Sequence, residues 1–182
     1  MARVRSFPPI ERATARTLIL GTMPGVASLT AGQYYAHPRN GFWTILGRLL
    51  GFDAQLDYPT RVERLHTAGI AVWDVLRSCE RPGSLDARIR SSSIVANDFR
   101  VFFGRHPQIE RVCFNGATAA ALFRRHVIHT LDDAPSRRYV QLPSTSPANA
   151  SVRLSDKTDA WRAIVTGSAA CLATQPRTRS LI

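Results

Sequence analysis

Between Gly21 and Trp43 the chain gathers polar hooks and aromatic faces into one stretch, Gly21-Thr22-Met23-Pro24-Gly25 followed by Tyr34-Tyr35-Ala36-His37-Pro38-Arg39-Asn40-Gly41-Phe42-Trp43. Such a set is suited to gripping a flat ring. Two later runs carry related chemistry, Phe114-Asn115-Gly116 and Leu142-Pro143-Ser144-Thr145-Ser146-Pro147-Ala148-Asn149. The amide of Asn115 offers a donor and an acceptor side by side, which is what reading the edge of a ring needs.

These runs need elements to position them. An apolar strand at 17–20 precedes the first, and Gly21, Pro24 and Gly25 mark its end as a turn where backbone N–H groups can approach a ligand. Apolar residues from Phe42 to Leu50 recur at helical spacing, with Asn40 as the N-cap and Gly51 as the stop. Pro59 opens a second helix over 59–68, with Val62 and Leu65 inward, and Gly69 ends it before a strand at 70–73. Residues 76–93, with Pro82-Gly83 and scattered arginines and serines, read as a long exposed loop. A helix over 95–105, a strand at 111–114 and an alanine-rich helix ending near 127 follow. The fourth strand is 139–142, and a polar loop over 143–150 leads into a helix over 156–170 with Trp161 and Ile164 on its apolar face. Strands alternating with helices predict an α/β domain with a short parallel sheet covered on both faces. The three chemistry-bearing runs then emerge at one edge of that sheet, where open α/β sheets bind their ligands.

With 182 residues, 45% of them hydrophobic, one domain over 1–172 with a flexible tail at 173–182 is expected. No apolar run long enough for a signal-peptide core or a membrane span occurs, so a cytoplasmic protein without a membrane partner is expected. Cys79, Cys113 and Cys171 are widely spaced and fit free thiols better than a metal site. The formal net charge is +11, and Lys157 is the one lysine among 24 basic residues. That excess favours a polyanion such as nucleic acid, although so arginine-rich a composition also follows from codon usage.

Taken together, the Tyr-Tyr-Ala-His-Pro-Arg-Asn run, the Asn-Gly pair and the Leu-Pro-Ser-Thr-Ser-Pro-Ala-Asn run resemble the uracil-DNA glycosylase superfamily, and within it the hypoxanthine-DNA (deoxyinosine) glycosylase branch. The resemblance covers nearly the whole chain and rests on three matched loops in order. It implies a three-layer αβα sandwich around a four-stranded parallel sheet. It also implies hydrolysis of the bond between a base and deoxyribose after the base has been rotated out of the duplex, with no metal or redox cofactor.

By this resemblance Asn40 is catalytic, its carbonyl orienting the attacking water toward C1′. Asn115 reads the base and supports charge on its oxygen, Tyr35 is the stacking platform with Tyr34 as fallback, and Met23 and His37 complete the base pocket. Ser144, Thr145, Ser146, Pro147 and Asn149 form a wedge loop whose hydroxyls suit phosphate oxygens, with Arg39 as a further DNA contact. Plainer readings stay open at several positions. Asn40 could simply cap its helix, Asn115 could be a turn residue before Gly116, Phe42 and Trp43 read as core, and His37 could make a structural hydrogen bond.

Two departures narrow the match. Met23 stands where the mismatch-specific uracil branch has a catalytic asparagine, and Leu142 where classical uracil enzymes place a histidine. The expectation is a monomeric, monofunctional glycosylase for DNA with deaminated bases, hypoxanthine first, with uracil and xanthine as further candidates. A lyase step is not expected, because it needs an amine and Lys157 lies at the polar start of the last helix, away from the three loops. The alternatives are a glycosylase for guanine-paired uracil and a non-catalytic binder of damaged DNA or abasic sites.

Overall fold

The structure, a computed structural model, describes residues 3–132 and 136–165. Its strands are β1 (Arg3–Arg5), β2 (Thr17–Gly21), β3 (Ile70–Asp74), β4 (Leu76–Glu80), β5 (Val95–Ala96), β6 (Arg111–Asn115) and β7 (Arg138–Leu142). The helices are α1 (Val26–Ala31), α2 (Phe42–Leu50), α3 (Tyr58–Thr67), α4 (Phe99–Arg105), α5 (Ala117–His126) and α6 (Leu154–Trp161).

Four strands form one parallel sheet in the order β3-β2-β6-β7. The central strand β2 is buried along its whole length, with Leu18, Ile19 and Leu20 fully enclosed. An unbroken apolar run is what a parallel strand covered on both faces requires. Helix α3 packs against β3, α5 against β6 and β7, and α2 and α6 pack on each other, giving the three-layer sandwich. Aromatic side chains fill the space beneath α4 and α5, where Phe99, Phe102 and Phe123 are almost wholly buried and Phe99 meets Phe123 edge-on at 5.2 Å.

Local signals set most boundaries. Asp57 accepts a hydrogen bond from the Thr60 N–H at 2.7 Å and so caps α3, while Gly69 with φ +68° ends the turn before β3, a conformation costly for other residues. Asp98 caps α4 through the Val101 N–H at 3.0 Å.

Four expectations need correction. Residues 76–93 are not a long exposed loop. Buried β4 runs through them, pairing antiparallel with β1 and β5 in a second, three-stranded sheet, and two short 3-10 turns follow at Asp86–Arg88 and Ser91–Ser93. The helix expected from 95 starts only at Phe99, because Val95 and Ala96 pair with β4 and Asp98 supplies the cap. The stretch after β2 is not one loop, since it contains α1, closed by Gly32 at φ +64°. The last helix begins at Leu154 rather than 156 and ends at Trp161, where a 3-10 turn at Arg162–Ile164 takes over; residues 166–170 of the expected helix, the 173–182 tail and Cys171 lie outside the described residues.

Candidate active site

Gly21, Asp74 and Asn115 end three neighbouring strands. Gly21 pairs with Asp74 across β2 and β3, and Leu20 with Phe114 across β2 and β6, so Asn115 comes level with Gly21. Above this row lies a cavity of about 420 Å³. All three residues line it, together with residues of the first loop, the third loop and the segment after β4.

The first loop is pinned at its base. The Trp43 indole N–H donates to the Tyr34 carbonyl at 2.9 Å, and the Tyr34 hydroxyl reaches the Phe7 and Pro8 carbonyls at 3.4 and 3.3 Å. Tyr34 is therefore a buried structural residue that shows only part of itself to the cavity. Tyr35 is the only non-glycine with positive φ among the described residues, at +56°. That turn lays its ring flat on Phe42, with centroids 3.8 Å apart and planes at 18°, and brings it into the cavity wall. Its hydroxyl lies beside the Asn115 amide without meeting hydrogen-bond geometry. Phe42 is buried and Trp43 nearly so, as the core reading expected.

Asn40 lines the cavity. Its Oδ1 accepts the Phe42 N–H at 3.0 Å, so the capping role is real, but the N-cap itself is Gly41 and Asn40 stands one residue earlier. A carbonyl oxygen has two lone pairs, and one N–H leaves the second for a water. His37 also lines the cavity, and its Nδ1 accepts the Arg39 N–H at 3.1 Å, which leaves Nε2 as the ring's outward donor when the imidazole is neutral. Arg39 is exposed and does not line the cavity. Met23 is buried at its wall.

Asn115 is tied to the third loop by both ends of its amide. Nδ2 donates to Thr145 Oγ1 at 2.9 Å, and Oδ1 accepts the Thr145 N–H at 2.8 Å. The plain turn-residue reading is thus too small, because the amide fastens β6 to the loop after β7. One N–H and one lone pair remain for a ligand. Gly116, at φ +104°, lets the backbone pass close under Ser144, whose Cβ would lie 3.0 Å from any side chain added there.

The third loop is knitted internally. Ser144 Oγ accepts the Ser146 N–H at 3.2 Å, Ser146 Oγ accepts the Ala148 N–H at 3.2 Å, and Asn149 Nδ2 donates to the Ser144 carbonyl at 3.1 Å. Each serine keeps its own O–H to donate outward, as a phosphate contact needs. Ser144, Thr145, Ser146, Pro147 and Asn149 all line the cavity. Gly41 N–H donates to the Thr145 carbonyl at 3.0 Å, so the first and third loops are joined.

Lys157 is not remote from these loops, contrary to expectation. It is buried, and its ammonium donates to the Asn149 carbonyl at 2.7 Å. Burial lowers its affinity for a proton.

The sequence reading missed one wall entirely. Asp74 is 3% exposed, and its Oδ2 has no hydrogen-bond partner among the described residues. Burial first, then the charge of Asp86, push its carboxyl up to about 8, with Arg81 pulling the other way. Arg81, buried after β4, donates to the carbonyls of Gly83, Met23 and Pro24 and to Asp86 Oδ1. Asp86 is itself raised, mainly by burial, with Thr22 and Arg81 opposing. Burial also raises the Tyr35 hydroxyl, reinforced by Asp74. Among the described residues no group of three His, Cys, Asp or Glu side chains is placed to hold a metal. Cys79 and Cys113 are buried free thiols.

The family model described as the uracil DNA glycosylase superfamily matches residues 8–165. The chain belongs to that superfamily. It is thereby a DNA glycosylase, a hydrolase of the bond joining base to sugar. A hypoxanthine DNA glycosylase from Methanosarcina barkeri is 38% identical over 113 residues, which is 62% of this chain and 70% of that protein. One from Methanosarcina acetivorans is 34% identical over 116 residues, 63% of this chain and 72% of that protein. A candidate uracil DNA glycosylase from Methanosarcina acetivorans, solved by NMR in solution, superposes with a TM-score of 0.73 at 29% identity, over 90% of this chain and 99% of that one. No helix among the described residues of this superfamily member is long and apolar enough to cross a membrane.

Proposed function

We propose that this glycosylase is a monofunctional base-excision enzyme for DNA carrying deaminated bases, hypoxanthine first. The observation that carries the reading is the cavity where β2, β3 and β6 end, lined by both asparagines and by Tyr35. The names of its relatives add the choice of hypoxanthine.

A target base is rotated out of the duplex at a cost of about a few kcal/mol and enters the cavity against Tyr35. The remaining N–H and lone pair of Asn115 read the base edge. Asn40 holds a water with the lone pair that Phe42 does not use, aimed at C1′. An amide cannot deprotonate that water, but a dissociative departure asks for a placed nucleophile more than a strong base. The hydroxyls of Ser144 and Ser146, with Thr145, Pro147 and Asn149 around them, meet the backbone on either side of the gap, and Arg39 reaches a neighbouring phosphate. His37 and Met23 close the pocket. The protein works as a monomer on this reading.

Uracil opposite guanine is the second substrate to test, since it also shows a carbonyl beside an N–H and the cavity admits both ring sizes. Single-turnover excision on labelled duplexes with one hypoxanthine or one uracil opposite each normal base, followed by alkali, is the test. Hypoxanthine release supports the reading, uracil release alone moves the enzyme to the mismatch-uracil class, and binding without any release replaces it with a damage binder. Duplex affinity should fall with salt at a log–log slope of about −0.9 per phosphate contacted, which a flat response would contradict.

A further inference from the structure

We propose that Asp74 is the general acid of this site, standing protonated at the end of β3 and passing its proton to N7 of a flipped purine as the bond from N9 to C1′ breaks. The inference rests on the glycosylase reading above.

Its first support is an unmet pair of polar groups. Asp74 is almost wholly buried yet lines the cavity, and neither its Oδ2 nor the buried Tyr35 hydroxyl has a hydrogen-bond partner among the described residues. Buried polar atoms are nearly always paired, so two orphans in one wall call for a ligand. The two side chains are neighbours at the end of β2. A Cβ added to Gly21 would sit 2.5 Å from the other carboxyl oxygen, Asp74 Oδ1, and 3.0 Å from the Tyr35 hydroxyl. The Asp74 backbone is fixed separately, by Asn97 Nδ2 donating to its carbonyl at 2.8 Å.

Charge around the carboxyl favours the protonated form. Tyr34 and Tyr35 face it from the first loop, and Asp86 and Arg81 from the segment after β4. The two tyrosines offer no cation, Asp86 adds a like charge, and Arg81 commits its donors to Asp86 and to the Gly83, Met23 and Pro24 carbonyls. Burial and Asp86 together push the carboxyl up to about 8, so it carries its proton at neutral pH. A general acid works best with a value near the operating pH.

The spacing suits a purine. Asp74 and Asn115 lie on the strands flanking β2, two strand separations apart, or about 9.5 Å at the backbone. A purine bridges that gap with its six-membered ring toward Asn115 and its imidazole N7 toward Asp74. In the step, the electron pair of the C1′–N9 bond stays with the base and the Asp74 proton goes to N7. The water oxygen bonds to C1′ and its proton leaves to solvent, which later reprotonates the carboxylate. Uracil has no N7, so its release gains nothing from this acid.

Single-turnover excision of hypoxanthine, 7-deazahypoxanthine and uracil from the same duplex by wild type and Asp74→Asn tests the step. Asp74→Asn should slow hypoxanthine release about 100-fold or more, with affinity for the duplex unchanged. It should cause no further loss on 7-deazahypoxanthine or uracil. The wild-type hypoxanthine rate should fall as pH rises through about 8, a fall absent from the variant. Equal losses by Asp74→Asn on hypoxanthine and its 7-deaza analogue, or a wild-type rate that rises through that pH, overturn the proposal. Should the variant not fold, the wild-type pH profile and its rate on the 7-deaza substrate decide alone, and equal release of both bases overturns it. Wild type releasing no base at all sinks the glycosylase reading with it; hypoxanthine released at the wild-type rate by Asp74→Asn sinks the acid only.

Discussion

The two walls of the cavity spend their hydrogen bonds differently. On the β6–β7 side the Asn115 amide is bonded at both ends to Thr145, and the serines and Asn149 of the same loop bond one another's backbone. On the β3 side Asp74 Oδ2 and the Tyr35 hydroxyl are buried with nothing to bond, next to an acid and a cation whose interactions are turned elsewhere. The closed wall is a frame that holds its shape without DNA. The open wall keeps unmet polarity, which costs stability and is available to a ligand. Strain of this kind belongs at functional sites.

The comparison breaks most severely at Arg81, whose side chain is fully buried against a partly exposed Asp86. Arg81→Met should destabilise the fold by about 3 kcal/mol, because it leaves three carbonyls and a partly exposed acid without their donor. Urea denaturation would show it, and a midpoint like that of wild type would mean the rim does not depend on this cation. Asn40→Ala comes next. If Asn40 positions water, excision should fall about 100-fold with DNA affinity kept, whereas a residue that only caps would lower stability by about 1 kcal/mol and leave the rate alone.

Asn115→Ala tests the closed wall. Removing the amide frees Thr145 and should lower stability by about 1–3 kcal/mol while relaxing the choice among damaged bases; an unchanged substrate ranking would reduce Asn115 to a fastener. The smallest effect has the opposite sign. Because the Asp74 carboxyl is raised to about 8 in the fold and titrates near 4 when unfolded, the folded chain holds a proton there that the unfolded chain has released. Stability therefore falls as pH rises from about 4 to about 8 through this group. Asp74→Asn should raise the melting temperature by a few degrees at pH 8 and not at pH 4, because the amide put in its place is itself buried without a partner and offsets most of the linked gain. A variant less active and more stable would sharpen the contrast between the walls, and one less stable at pH 8 would erase it.

The sequence made the closed wall readable and the open one not. Three of the four parallel strands announce themselves as apolar runs with a glycine at one end and the fourth stops at Pro143, and the Asn115 and Ser144 to Asn149 runs lie at strand ends. Asp74 gives no such sign, since one acid after Ile70-Ala71-Val72-Trp73 looks like a strand stop, and what surrounds its carboxyl is Gly21, the first-loop tyrosines and the segment after β4. Strand β4 was hidden for a related reason. Its partner β1 lies more than seventy residues earlier, with Arg3 facing Glu80, so pairing at that distance overrode local turn residues such as Pro82-Gly83. Arg81 went unnoticed among 24 basic residues, because composition cannot tell a solvated arginine from a buried one.

Arg81 also has a consequence in time. Its bonds to the Met23 and Pro24 carbonyls span 58 and 57 positions, and contacts of such long sequence separation are closed late and slowly during folding. A chain still emerging from the ribosome has its first loop complete long before the cation that fastens it arrives, so the pocket rim is among the last parts of the molecule to set.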